Sequence, residues 1–199
     1  MASKPYAGVA IGVSSGGLHA LHMLLRALSK PFPLSLFIVQ HRMRDADQML
    51  VEYLERQTGF PIKEAEDKEA IRSGMAYLAP SDYHLLVETD GRSLALSKDP
   101  AVHYARPSID VLFESATVAL GDALIGVVMT GASRDGAEGL QLIKQHGGYT
   151  IVQDPDSAES SLMPRAAIDA TEVDKIAALE DLAKILENLA HTPRDLRSP

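Results

Sequence analysis

Three residues able to perform acyl transfer each follow an apolar run in the chain. Ser14 follows Val9-Ala10-Ile11, His41 follows Leu34-Ser35-Leu36-Phe37-Ile38-Val39, and Asp135 stands in the loop after Leu124-Ile125-Gly126-Val127-Val128-Met129. A serine hydroxyl is a weak nucleophile until a base takes its proton, and a carboxylate that fixes the imidazole tautomer completes the set. Ser14 lies in Gly12-Val13-Ser14-Ser15-Gly16-Gly17, which fits the G-x-S-x-G elbow. The same turn has a second reading, because glycines admit a ligand close to the backbone and the free N–H groups of a helix start suit a phosphate. Asp135, followed by Gly136, also suits a plain turn or a helix cap. These residues alone leave both readings open.

The other histidines carry weaker signals. His19 and His22 fall on a helix, His146 near a helix end and His191 in a polar tail, where solvated or packed imidazoles are expected. His84 and His103 lie in a variable middle region and either border the site or serve structure. No histidine and carboxylate set has metal-ligand spacing along the chain, so no metal and no other cofactor is expected. The absence of cysteine excludes disulfides, thiolate metal sites and cysteine nucleophiles.

The elements that would position these residues follow from the hydrophobic pattern. The turn at 12–17 joins a strand to a helix with Leu18, Leu21, Leu24, Leu25 and Leu28 on one face, broken by Pro31 and Pro33. A second strand and helix follow, with Asp45 or Asp47 as cap, Met49, Leu50, Tyr53 and Leu54 as apolar face, and Gly59 and Pro61 as stop. Residues 75–78, 84–87 and 93–96 read as short extended runs. The last two form a hairpin on a type I′ turn at Asp90-Gly91, set beside the parallel sheet. After a polar loop over 98–106, Pro107 suits a first helical position, with Ile109, Leu112, Phe113, Ala116 and Leu120 on one face and Gly121 as stop. A strand at 124–129, a helix closing at Gly147-Gly148, a strand at 149–153, a short helix near 163–167 and an amphipathic helix through Leu179, Leu182, Ile185, Leu186 and Leu189 complete the pattern. Alternating strands and helices predict a doubly wound, mostly parallel α/β sheet with a short antiparallel hairpin, and such sheets bind ligands at the C-terminal ends of their strands.

With 199 residues, 46% of them hydrophobic, the chain is read as one domain over 1–190, with 191–199 as a polar tail or linker. A net charge of -8 argues against nucleic acid or an anionic membrane as main partner. No apolar run approaches the roughly 20 residues that span a bilayer, and the N-terminus reads as a first strand, not a signal peptide. A cytoplasmic location is expected.

Several motifs, in order, resemble one known family. Ile11-Gly12-Val13-Ser14-Ser15-Gly16-Gly17, Val39-Gln40-His41, Tyr77-Leu78-Ala79-Pro80 with His84, Arg106-Pro107-Ser108-Ile109-Asp110-Val111-Leu112-Phe113, Met129-Thr130-Gly131 with Asp135-Gly136-Ala137-Glu138-Gly139, and Gly147-Gly148 through Gln153 are similar to the catalytic domain of the CheB chemotaxis methylesterases. The resemblance runs from about Ala7 to about Ala170. It implies a Rossmann-like domain that hydrolyses glutamyl methyl esters on chemoreceptor helices and, in some members, deamidates receptor glutamines. By position, Ser14 matches the nucleophile, His41 the general base and acid, and Asp135 the residue that orients it. Ser15 and Ala132 match the oxyanion-binding positions, although the family's Gly-Met-Gly reads Gly131-Ala132-Ser133 here. Arg106 keeps a basic residue of the substrate region, while Tyr104-Ala105 before it departs from the commoner pattern. The implied partner is a methylated chemoreceptor or sensory protein, with a methyltransferase or sensory kinase fused or encoded nearby. Family members usually carry a receiver domain before the esterase, whereas the first strand here begins almost at Met1. Regulation by phosphorylation in cis is then expected to be absent, unless the chain is a piece of a longer one.

Three functions are compatible with these readings. A serine esterase uses the Ser14, His41 and Asp135 set, with a rate that rises with pH as the imidazole loses its proton. A catalytically inactive docking module of the same fold is suggested by Ala132, Ser133 and Arg134, which crowd the expected site. A phosphate-binding α/β domain would need only the glycine turn.

Overall fold

The first strand, β1 (Gly8–Val13), alternates Gly8, Ala10 and Gly12 with Val9, Ile11 and Val13, and this alternation sets the two faces of the molecule. Strand side chains point alternately to opposite faces, so one face of β1 is bulky and the other nearly bare. A computed structural model describes residues 5–41 and 49–191. After β1 come α1 (Gly17–Ala27), β2 (Ser35–Gln40), α2 (Met49–Thr58), β3 (Ile62–Glu64), β4 (Ala76–Leu78), β5 (His84–Val87) and β6 (Leu94–Ser97). They are followed by α3 (Ile109–Leu120), β7 (Leu124–Val128), α4 (Ala137–Gln145), β8 (Tyr149–Gln153), α5 (Leu162–Ala170), β9 (Lys175–Ala177) and α6 (Leu179–His191).

Seven strands form a parallel sheet in the order β3-β4-β2-β1-β7-β8-β9. The chain winds outward from β1 through β2, returns to pair β7 against the other side of β1, and then winds the opposite way. The switch point of this doubly wound fold therefore lies between β1 and β7, where ligands bind in such sheets. On the bulky face, Val9, Ile11 and Val13 pack with Leu21, Leu24 and Leu25 of α1, Leu54 of α2 and Leu182 and Leu186 of α6. On the bare face, Ala10 packs with Ile109, Leu112 and Phe113 of α3, Leu140 and Ile143 of α4 and Ala167 of α5. A Cβ placed on Gly12 would come within 2.3 Å of Ile109 Cγ2, so only glycine there lets the start of α3 rest directly on β1.

The expected helices, the doubly wound sheet and the antiparallel hairpin beside it are present, with four differences in the placement of β4, the extra strands β3 and β9, the hairpin turn and the start of α3. Residues 76–78 join the parallel sheet as β4 instead of the antiparallel element, and β3 and β9 are short strands with no clear pattern in the sequence. The β5 and β6 hairpin is a separate two-stranded sheet whose Leu85, Val87 and Leu94 pack against α3. Its turn is not type I′, because Gly91 alone has positive φ (66°), Glu88 O accepts from Gly91 N at 2.8 Å, and Asp90 Oδ1 accepts from Arg92 N. α3 begins at Ile109, not Pro107, because Ser108 takes the cap position and its Oγ accepts from Val111 N. The expected caps Asp45 and Asp47, and the tail beyond His191, lie outside the described residues.

Candidate active site

The three strand ends of the switch region are held in register beyond the strands themselves. Ser14 N donates to Thr130 O at 2.9 Å, His41 N donates to Val13 O at 3.1 Å, and Met129 N donates to Gly12 O at 3.0 Å. These bonds extend the ladder by one residue and set Ser14 between His41 and the 130–135 loop. The chain then turns sharply: Gly17 N donates to Ser14 O at 2.8 Å and Gly16 takes φ 78°, so α1 starts immediately behind Ser14 and Ser15.

The loop after β7 is fixed by its polar neighbours. Thr130 Oγ1 donates to Ser15 O at 2.8 Å and Thr130 N donates to Gln153 Oε1 at 2.9 Å. Gly131 N donates to Ser160 O at 3.0 Å. Neither the Ser15 nor the Ala132 N–H is spent on a backbone carbonyl among the described residues. Both residues line the cleft that holds Ser14 and His41.

His41 Nε2 stands 2.7 Å from Asp135 Oδ2. Asp135 is buried and accepts three further hydrogen bonds: Ile109 N at 2.7 Å, Asp110 N at 3.0 Å and Ser108 Oγ at 2.8 Å. Burial pushes the Asp135 carboxyl upward, but the hydrogen bond from His41 and those from the Asp110 and Ile109 amides outweigh it and hold it below the usual carboxylate range. The start of α3 thus serves as an anion seat for this carboxylate. An ionised Asp135 keeps the proton on Nε2, which leaves Nδ1 as the ring nitrogen able to accept one.

The cleft has a volume of about 410 Å³ and is lined by Ser14, His41, Ala132, Ala101 and the 103–107 segment. Arg106 also lines it, but its guanidinium is engaged in the wall: Nε and Nη2 donate to Asp82 Oδ1 at 3.1 and 2.7 Å, and Nη1 donates to Lys98 O and Asp99 O at 2.8 and 3.0 Å. His84 is buried beneath, its Nδ1 accepting from Ser108 N at 3.2 Å and its Nε2 facing Pro100 O at 3.2 Å, so of its two expected roles the structural one fits. His103 lines the cleft instead, 3.3 Å from Asp110 Oδ2.

Ser108, Asp110, Thr130 and Gln153 take roles here that the sequence alone does not assign. The capping position of Ser108 was the one available signal; the others depend on contacts between distant segments. In space, though not along the chain, His103, Asp110 and Glu138 bring their ligand atoms within 4.8 Å of one another, close enough to hold a metal ion. Its members come from a loop and the first turns of α3 and α4, which linear spacing cannot reveal. Burial, and then the charge of Asp135, raise Asp110 to about 6 against the backbone donors Gly139 and Gly136.

The family model described as CheB methylesterase matches residues 9–186. A Leptospira interrogans protein, provisionally named protein-glutamate methylesterase/protein-glutamine glutaminase, is 47% identical over 184 residues, covering 92% of this chain and 95% of that protein. A protein-glutamate methylesterase/protein-glutamine glutaminase of Oleidesulfovibrio alaskensis is 37% identical over 185 residues, and the match covers 50% of its length. The crystal structure of the Thermotoga maritima CheB methylesterase catalytic domain superposes with a TM-score of 0.88 at 29% identity, covering 94% of this chain and 99% of that one.

Proposed function

This chain belongs to the CheB methylesterase family, and from that premise we propose that it is a serine esterase that hydrolyses glutamyl methyl esters on chemoreceptors to glutamate and methanol. One observation carries the assignment of roles: a buried, ionised carboxylate holds His41 at 2.7 Å in the cleft that also contains Ser14.

In the proposed mechanism Ser14 Oγ attacks the ester carbonyl as His41 Nδ1 takes its proton. The negative charge that forms on the carbonyl oxygen is received by the N–H groups of Ser15 and Ala132, at the start of α1 and in the loop after β7. Collapse of the intermediate expels methanol, which receives the proton from His41. Water then attacks the acyl-enzyme with His41 again as base, releasing glutamate and restoring Ser14. Asp135 remains ionised throughout and stabilises the imidazolium. A glutamine side chain would form the same acyl-enzyme with loss of ammonia, consistent with the second activity in the relatives' names. Arg106 contributes to substrate binding by holding the 98–106 wall in place.

The inactive docking module finds no support in the cleft. The Ala132 N–H is not spent on a backbone carbonyl among the described residues, Ser133 Oγ accepts from Asp135 N at 3.2 Å, and Arg134 is not among the cleft residues. No helix among the described residues is long and apolar enough to cross a membrane, which is compatible with a cytoplasmic enzyme whose catalytic domain spans 1–190. Turnover of p-nitrophenyl acetate tests the assignment of Ser14. The wild type should release nitrophenolate and Ser14→Ala should not, whereas equal release by both would remove Ser14 from the mechanism.

A further inference from the structure

The wall of the cleft facing Ser14 ends in a turn that sequence chemistry does not favour. Val102 and Ala105 pair through two hydrogen bonds, Val102 N to Ala105 O at 3.1 Å and Ala105 N to Val102 O at 2.8 Å, with His103 and Tyr104 as the two residues between. Both have positive φ, 48° and 63°, a conformation that glycine, asparagine and aspartate take readily and that L-residues with larger side chains adopt reluctantly. Such strain persists where the surroundings enforce it, and here they do. His103 stands against Asp110, Arg106 ties the outgoing segment to Asp82, Lys98 and Asp99, and His84 faces Pro100 O from below.

This turn presents one side chain to solvent. Tyr104 is fully exposed, more so than any other large hydrophobic residue among those described, and it alone of the exposed large hydrophobics lines the cleft. A methyl ester small enough to enter the cleft does not require an aromatic ring projecting beyond its rim. A polypeptide that carries the ester must pass over that rim.

We propose that Tyr104 is a specificity-determining contact for the polypeptide flanking the glutamyl ester, an aromatic platform on an anchored turn on which apolar side chains of a substrate helix rest while the ester enters the cleft. The inference rests on the esterase reading above. Aromatic side chains have only two rotatable side-chain bonds, lose little entropy on contact and often dominate recognition of a protein partner. Anchoring from beneath fixes the backbone that carries the ring, and the cost in backbone strain is met by the contacts of His103 and Arg106.

Binding can be measured without turnover in Ser14→Ala, which leaves the ester intact. The probe is an alanine-rich helical peptide of about 20 residues with a central glutamate γ-methyl ester and leucines three and four residues to either side. Adding Tyr104→Ala to Ser14→Ala should weaken binding about tenfold, and Tyr104→Phe should restore it to within about twofold. A second peptide with alanines replacing the leucines should bind about as weakly as the Tyr104→Ala pair and should not respond to that substitution. Because Tyr104 makes no buried contact and relieves a strained φ when replaced by glycine, Tyr104→Gly should melt no lower than its parent while binding as weakly as Tyr104→Ala. Equal affinity with and without the tyrosine, or no measurable binding by Ser14→Ala, overturns the platform. Methanol release from the same peptide by the wild type separates the two claims. Its absence removes the esterase reading, whereas its presence with unchanged affinity removes only the role of Tyr104.

Discussion

Asp135 Oδ2 lies 2.7 Å from His41 Nε2, and the three other donors to the Asp135 carboxylate all come from the start of α3. The carboxylate that holds His41 is therefore seated by a helix packed on the opposite side of the central strand from α1. In Asp135→Asn the new NH2 must face a backbone donor, Asp110 N on one side or Ile109 N on the other. Loss of the anion also releases the imidazole tautomer. Activity should fall by about 10³–10⁴-fold, by analogy with other serine triads, and stability by roughly 1–3 kcal/mol. Paired kinetics and thermal melts check this; a variant with near-normal activity would show that the contact does not serve catalysis.

Gly12 is where the sheet and this seat meet. In Gly12→Ala the added methyl would stand 2.3 Å from Ile109 Cγ2, and Ile109 N is itself a donor to Asp135. Relief requires α3 to move away from β1, at a cost of roughly 1–3 kcal/mol for overpacking. The variant should melt lower and lose activity more than a purely structural change of equal cost elsewhere, such as a truncation in α6. Retention of wild-type activity in the folded variant would contradict the link between strand packing and Asp135.

Asp110 gives a pH signature. Its carboxyl is raised to about 6, by burial first and then by the neighbouring Asp135 charge. An acid that holds its proton more tightly folded than unfolded contributes stability below its unfolded pKa, near 3.8. That contribution is lost as pH rises through about 6. Asp110→Asn stays neutral at every pH, can still accept from Gly139 N, and keeps His103 and Glu138 as neighbours. It should be more stable than the wild type by about 1–3 kcal/mol at pH 8, with the difference closing toward pH 4. Denaturant titrations across that range test it, and a pH-independent difference would refute it.

The mostly parallel sheet and the placement of Ser14, His41 and the Asp135 loop at strand ends were readable because each of the three follows a continuous apolar run, the mark of a strand buried on both faces. What the pattern concealed depends on contacts across the chain. Asp90-Gly91 carries a strong hairpin signal, yet the hydrogen bonds of Glu88 and Asp90 select a longer turn. The two-residue turn with paired positive φ occurs instead at His103-Tyr104, where no glycine announces it and tertiary anchors impose it. The resemblance marks Arg106 as a basic residue of the substrate region, and only the structure shows that its hydrogen-bond donors are engaged with Asp82, Lys98 and Asp99. The carboxyl of Asp110, two residues after the cap Ser108, gains its neighbours only when α3, α4 and the 101–106 loop converge.

The central claim is that Ser14 is the nucleophile for a glutamyl methyl ester. Methanol released from a methylated chemoreceptor fragment by wild type and by Ser14→Ala tests it most directly, with circular dichroism to show that both are folded. Release should fall to the uncatalysed background in Ser14→Ala while the fold is kept. Release at a near-wild-type rate from the folded variant would contradict the claim.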